Sequence, residues 1–314
     1  MTLLDRFKDR LALPAIASPM FIISQPDLVM AQCRAGVIGA FPSLNARPSG
    51  VFEQWLQRLT TELTDRDAPF AVNLIVHRSN PRLQEDLELC CKYRVPIIIT
   101  SLGAQAEVNA AIHSYGGIVL HDVINDRFAR KAIEKGADGL IAVAAGAGGH
   151  AGTLSPFALV QEIRSWFDGT LALSGSIANG AAILSAQAMG ADLAYIGSAF
   201  IATQEANAVP AYKQMLVDSS ASDIVYSNLF TGVHGNYLRG SIVRAGLDPD
   251  NLASSDPSKM DFASMTDSKK AWRDIWGCGQ GIGAVDAIVP AADLVGRLKR
   301  EYQAARERIY ALTG

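Results

Sequence analysis

The sequence predicts an α/β chain folded as a (β/α)8 barrel, with a small, mostly helical insertion after the eighth strand. Two observations predict the barrel. Eight short, nearly continuous apolar runs recur at intervals of about 20–30 residues, and each is followed by a helical or glycine-rich segment. Runs without polar alternation are the mark of parallel strands covered on both faces. A third observation predicts the insertion: the rhythm holds without a break as far as Phe200 and stops there. A doubly wound open sheet is the competing arrangement, and eight regular units favour closure.

The runs are AIASPM (15–20), VIGAF (37–41), FAVNLIV (70–76), PIIIT (96–100), GIVLHDV (117–123), GLIAVAA (139–145), TLALSGS (170–176) and LAYIGSAF (193–200). Between them, residues 51–63, 83–93 and 127–135 have helical period. In the first of these Val51, Phe52, Trp55, Leu56, Leu59 and Leu63 recur at three and four residues. EKGADG and AMGAD each place a glycine where a helix gives way to a strand, suited to a left-handed cap. Residues 1–204 are therefore expected to form the barrel. Residues 205–285, with polar runs such as VDSSASD and SSDPSKMDFASMTDSKK, are expected to form a helical subdomain at its mouth. Residues 286–314 are expected to return as a final barrel helix, with Leu294, Leu298, Tyr302, Ala305, Ile309 and Leu312 on its apolar side.

Apolar residues make up 49% of the chain and charged residues 19%, which excludes a disordered polymer. The formal net charge is −3 and the basic residues are scattered, so no surface is available to recruit nucleic acid. No run approaches the roughly 20 apolar residues of a membrane span. The opening MTLLDRFKDRLALP is interrupted by charge, and no secretory leader is expected. Cys33, Cys90, Cys91 and Cys278 include no CxxC pair and fit reduced thiols in a cytoplasmic protein. Cys278 is expected to pack rather than to do redox chemistry. A homodimer is a candidate assembly.

Active sites of this fold lie at the C-terminal ends of the strands. SGSIANG places Ser174, Gly175 and Ser176 at the seventh end, and IGSAF places Gly197 and Ser198 at the eighth. Glycines let backbone N–H groups approach an anion, and these are the two turns where such a barrel commonly holds a phosphate. Singly, each could be a plain tight turn. After the sixth run, VAAGAGGHAG removes nearly all side-chain bulk at Gly146, Gly148 and Gly149 and leaves His150 at the edge. Bare backbone there admits a flat, bulky group, and a lone imidazole beside it is a candidate general base or hydrogen-bond donor. Among the other histidines His121 is the best secondary candidate, with a structural role expected. His77 and His234 are candidates for the rim, and His113 is expected to be solvated. No metal-ligand spacing, GxSxG or Ser/His/Asp arrangement occurs, so no catalytic metal is expected.

On these residues the chain resembles the nitronate monooxygenase family, FMN-dependent (β/α)8 barrels related to the FMN-dependent enoyl-acyl-carrier-protein reductases. The resemblance runs through PAIASPM, PFAVNLIV, AAGAGGHAG, ALSGSIANG, YIGSAF and the late GCGQGIGAV. It implies FMN as cofactor, with backbone near Met20 against the ring and Asn73 hydrogen-bonded to it. It implies Gly148 packed by the ring, Gly175, Gly197 and Ser198 at the phosphate, and His150 as the catalytic histidine. Gly279–Gly281, with Gln280 between them, would close the site. The implied activity is oxidation of an alkyl nitronate or nitroalkane by O2 to a carbonyl compound and nitrite. The rivals are an NAD(P)H-dependent flavin reductase acting on quinones or enoyl thioesters, and a non-catalytic flavin- or phosphate-binding barrel. The chain departs from many members in reading Phe21-Ile22 where they read Gly-Gly, Ala151 where they read Arg or Pro, and His121-Asp122 where some read His-Lys.

Overall fold

The structure, a computed structural model, describes residues 2–48, 50–255 and 274–313. Eight parallel strands form one sheet: β1 (Ala15–Ala17), β2 (Gly39–Pro42), β3 (Phe70–Ile75), β4 (Ile97–Ser101), β5 (Ile118–Val123), β6 (Gly139–Val143), β8 (Thr170–Ser174) and β9 (Leu193–Ile196). Their order is β1-β9-β8-β6-β5-β4-β3-β2, and a parallel bridge between Ile16 and Ile38 joins the two ends into a (β/α)8 barrel. Two bonds make that seam, Ala17 N to Ile38 O at 2.7 Å and Ile38 N to Ala15 O at 3.1 Å. A doubly wound sheet has two open edges and no such seam.

Alternation along each strand sends one set of side chains into the barrel and the other toward the helices. The inward set includes Ile16, Ile38, Ala40, Ala71, Ile97, Ile99, Leu120, Ile141, Ala172 and Leu193, and it packs with Leu3 and Phe7 of the first helix, Leu3–Phe7. That helix plugs the N-terminal end of the barrel, where Leu3 N donates to Thr170 Oγ1. The outward set meets the helices Val51–Glu62, Leu83–Lys92, Asp126–Glu134 and Gly180–Met189, among others. Gly136 and Gly190 have φ of +92° and +113°, so the two glycines before strands do end helices in the left-handed conformation.

Beyond the barrel, the described part of 205–285 contains helices Pro210–Val217 and Arg239–Arg244. To these it adds an antiparallel pair, β10 (Ile224–Ser227) and β11 (Gly235–Leu238). Most of the polar run at 254–270 falls outside the described residues. The chain ends in a 23-residue helix, Ala291–Thr313, packed on Gly180–Met189. Gly180 N donates to Glu301 Oε2 at 2.8 Å there. Leu294, Leu298 and Ala305 are buried as its pattern predicts, but Ile309 and Leu312 are exposed. The reason is length: at about 1.5 Å per residue the last turns outrun the ten-residue helix beneath them.

Candidate active site

A cavity of about 770 Å³ opens at the C-terminal ends of the strands. The loops after β1, β2, β4, β5, β6, β8 and β9 contribute to its wall, as does the stretch Trp276–Gly281. Of the eleven residues singled out from the sequence, ten line it: Met20, Asn73, Gly148, Gly149, His150, Ser174, Gly175, Ser176, Gly197 and Ser198. Gln280 does not. Its side chain is exposed, and its backbone N–H donates to Gly146 O at 2.9 Å, so it fastens one wall segment to another.

The glycines are required by how closely the loops approach one another. A Cβ on Gly148 would sit 2.8 Å from Gly279 N, one on Gly175 2.7 Å from Ala145 O, and one on Gly146 2.1 Å from Ser176 Oγ. Ser198 Oγ accepts from Gly279 N at 2.8 Å, which draws the late glycine segment against the turn after β9. Where four loops meet with no side chains between them, the wall is main chain. The donor set there is amide and hydroxyl, with Ser174, Ser176 and Ser198 around the glycines. That chemistry fits a flat ring and a phosphate, the two ends of FMN.

His150 is not on a loose loop. Gly149–His150 forms a short strand, β7, antiparallel to β11 with His150 opposite Gly235, so the insertion extends a three-stranded sheet over the cavity. Asn236 Nδ2 donates to Ala147 O at 2.6 Å and Ala151 N donates to His234 O. His150 Nε2 lies 2.9 Å from Thr231 Oγ1, whose own hydrogen goes to Val233 O at 2.9 Å. This network assigns the Nε2–H tautomer, with the ring donating to the threonine. Burial makes the imidazolium costly and pushes the pKa of His150 down to about 4. The ring is therefore neutral at pH 7.

Met20 is placed differently from expectation. Both backbone groups of Met20 are engaged inside their own loop, N–H to Ser24 Oγ and C=O to Asn45 Nδ2, so its side chain is what faces the cavity. Asn73 spends its amide hydrogens on Ile99 O at 3.0 Å and Ser101 Oγ at 2.8 Å, which leaves its carbonyl oxygen to meet a ligand donor. His121 binds Thr100 Oγ1 at 2.6 Å through Nδ1, and burial lowers its pKa to about 4, in keeping with a structural role. His77 and His234 do not line the cavity: His77 turns back to Ser79, and His234 stacks on Tyr226. His113 is not simply solvated but pairs with Asp138 Oδ2 at 2.9 Å. Cys278 is buried, and burial pushes its thiol up to about 12, an inert packing residue.

Four residues went unnoticed in the sequence: Thr231, Asn236, Ser101 and Asn45. Thr231 and Asn236 belong to the insertion, whose return to the cavity no local pattern announces. Ser101 carried a signal in the period-two register of PIIITS, where it continues the inward positions Ile97 and Ile99. Among the described residues no group of His, Cys, Asp or Glu is placed to hold a metal, and no helix is long and apolar enough to cross a membrane.

A family model described as nitronate monooxygenase matches residues 80–301. A nitronate monooxygenase of Paraburkholderia phytofirmans is 24% identical, with 94% of each chain covered. Among solved structures, FabK from Thermotoga maritima superposes with a TM-score of 0.82 at 23% identity, covering 99% of this chain and 98% of that one. A nitroalkane oxidase from Streptomyces ansochromogenes gives 0.80 at 24%, covering 98% and 99%. At such identities the two structural likenesses establish the fold.

Proposed function

This chain belongs to the nitronate monooxygenase family of oxidoreductases, and from that premise we propose that it uses FMN to oxidise alkyl nitronates or nitroalkanes with O2, giving a carbonyl compound and nitrite. The observation that carries the proposal is convergence. The bare Gly146–Gly149 loop, His150 and the glycine turns after β8 and β9 border one cavity large enough for a cofactor and a small substrate.

FMN, when bound, supplies the electron transfer on which the oxidation depends. The turns Ser174–Ser176 and Gly197–Ser198 would hold its phosphate through backbone N–H and hydroxyl donors. Gly148 would leave room for the ring, and the Asn73 carbonyl oxygen would accept from it. The segment Gly277–Gly281 lies against Gly146–Gly148 and would help keep water from the bound ring. His150, neutral and oriented by Thr231, would take the α-proton of a neutral nitroalkane or position the nitro oxygens of a nitronate.

The test is spectroscopic and kinetic. The purified protein should show flavin absorbance near 450 nm, in the range expected of this cofactor. Under anaerobic mixing a nitronate should bleach it and NADH should not. Rapid bleaching by NADH would replace this reading with an NAD(P)H-dependent flavin reductase. His150→Asn should lower turnover on nitroalkanes by about 10²-fold or more while FMN stays bound. Unchanged turnover removes His150 from the chemistry.

A further inference from the structure

Among the described residues, four other than glycine hold φ in the left-handed region: Ile22, Arg94, Leu102 and Ser176. Three of them line the cavity, and two of those, Ile22 and Leu102, are bulky and apolar. Ile22 has φ of +68° in the loop after β1, and Leu102 has φ of +62° directly after β4. A side chain in this conformation is strained, whereas glycine would not be. The surroundings hold the strain in place. Asn45 and Asn207 bind the two backbone groups of Ile22. Gly103 follows Leu102 so close to Val76 O that a Cβ there would lie 2.3 Å away. Neither side chain serves the core: Ile22 is 39% exposed, and the half-buried Leu102 belongs to none of the hydrophobic clusters. Strain that the surrounding structure imposes, with no gain in packing, points to function.

Three further apolar residues, Ile124, Phe128 and Val209, are exposed and line the same cavity. They come from the loop and helix after β5 and from the start of the insertion helix Pro210–Val217. Single exposed apolar residues need no explanation, but several around one cavity mark a binding surface. The strand order sets β4 four places from β9 in either direction around the ring, so Leu102 follows the strand opposite the Gly197–Ser198 turn. The turns assigned to the phosphate thus stand on one side of the mouth, and apolar side chains stand on the other. Arg47 and Lys131 also line the cavity and are exposed, and among the described residues neither forms an ion pair. Their positive charge favours the approach of an anion.

We propose that Ile22 and Leu102 are specificity residues, held in strained backbone so that with Ile124, Phe128 and Val209 they form an apolar collar for the aliphatic tail of the substrate. The chain accordingly prefers octyl nitronate to ethyl nitronate. The nitronate head rests on the proposed function, whereas the tail preference rests on the collar alone. Each methylene that moves from water onto such a surface strengthens binding, by up to about fourfold when fully buried. A short nitronate would need no collar, and glycine at both strained positions would then serve with less strain.

The experiment is equilibrium binding by calorimetry, with the protein saturated with FMN so that the glycine turns are not the anion's site. The probes are straight-chain alkanesulfonates from ethyl to octyl, which keep an anionic head and undergo no reaction. From ethanesulfonate to octanesulfonate the Kd should fall at least about thirtyfold, the scale of partial burial of the added methylenes. Ile22→Gly and Leu102→Gly should each cut that gain at least about threefold and leave the Kd of ethanesulfonate within about twofold. Both substitutions relieve backbone strain, so the variants are expected to fold. Val243→Ser, at an exposed apolar residue that does not line the cavity, should leave the gain unchanged. A Kd indifferent to tail length, a gain unmoved in both glycine variants, or a gain cut as much by Val243→Ser each overturns the inference. Turnover separates it from the proposed function. If no nitronate is oxidised, the proposed function fails while the sulfonate series still reads the collar. If octyl nitronate is oxidised with no higher kcat/KM than ethyl nitronate, the collar fails and the proposed function stands.

Discussion

The His150 ring and the Thr231 hydroxyl meet at 2.9 Å across 81 residues of chain, one from the glycine loop after β6 and the other from the insertion. Thr231→Val removes the acceptor while nearly conserving shape. Turnover on nitroalkanes is expected to fall by about tenfold or more, with FMN affinity unchanged and Thr231→Ser restoring most of the loss. Equal turnover in Thr231→Val would mean that the sheet β7–β11 alone orients the ring.

Acid stability should depend on the buried His121 and the half-buried His150 acting against the half-buried Asp122 and the buried Asp86. His121 and His150 are pushed down to about 4 from 6.5, so between those values the unfolded chain binds more protons and stability rises with pH. Asp122 is raised from 3.8 to about 6, so over that range the folded chain binds more protons and stability falls as pH rises. Relative to a variant without the His121 imidazole, the melting temperature should therefore drop more as pH falls from 6.5 to 4. His121→Gln should flatten that slope, His121 alone accounting for on the order of 3 kcal/mol. Asp122→Asn should steepen it. Melting curves at half-unit pH steps check both, and a slope indifferent to His121 would show that the ring is not held neutral.

Ile22 adopts φ of +68°, a conformation that β-branched residues avoid. Asn45 Oδ1 on its N–H at 2.8 Å and Asn207 Nδ2 on its C=O at 3.0 Å hold it there, at the cavity rim. Ile22→Gly relieves a strain of about 1–2 kcal/mol and adds about 0.5–1 kcal/mol of chain entropy to be lost. With the side chain 39% exposed, little packing is forfeited. A small rise in melting temperature is expected, and a fall would show that Ile22 packing outweighs the backbone strain.

Gly148→Ala tests the closeness of the walls without backbone strain, because Gly148 does not have positive φ. Its Cβ would press on Gly279 N and on Cys278 C at 3.1 Å, both main chain, so the segment must move outward. FMN affinity should fall at least about tenfold by fluorescence titration, on the scale of an overpacking penalty of about 1–3 kcal/mol. Gly283→Ala, where a Cβ meets nothing within 4 Å, is the matched control.

Much of this molecule was legible in one dimension. Apolar runs such as PIIIT and GIVLHDV reveal buried parallel strands, because a strand covered on both faces cannot afford polar alternation. Glycines at 175 and 148 reveal close main-chain approach, because only a missing Cβ permits it. These are local constraints, and the sequence by itself therefore determined the barrel, the location of the cavity and ten of its lining residues. Tertiary structure alone decided the rest. Thr231 reaches His150 and Gly279 reaches Ser198 only because the chain after β9 folds back over the mouth, and contacts that distant leave no periodic trace. Asp122 shows the same limit. Its type and position could be read in the sequence, but its hydrogen bond from Ser101 emerged only once β4 and β5 stood side by side.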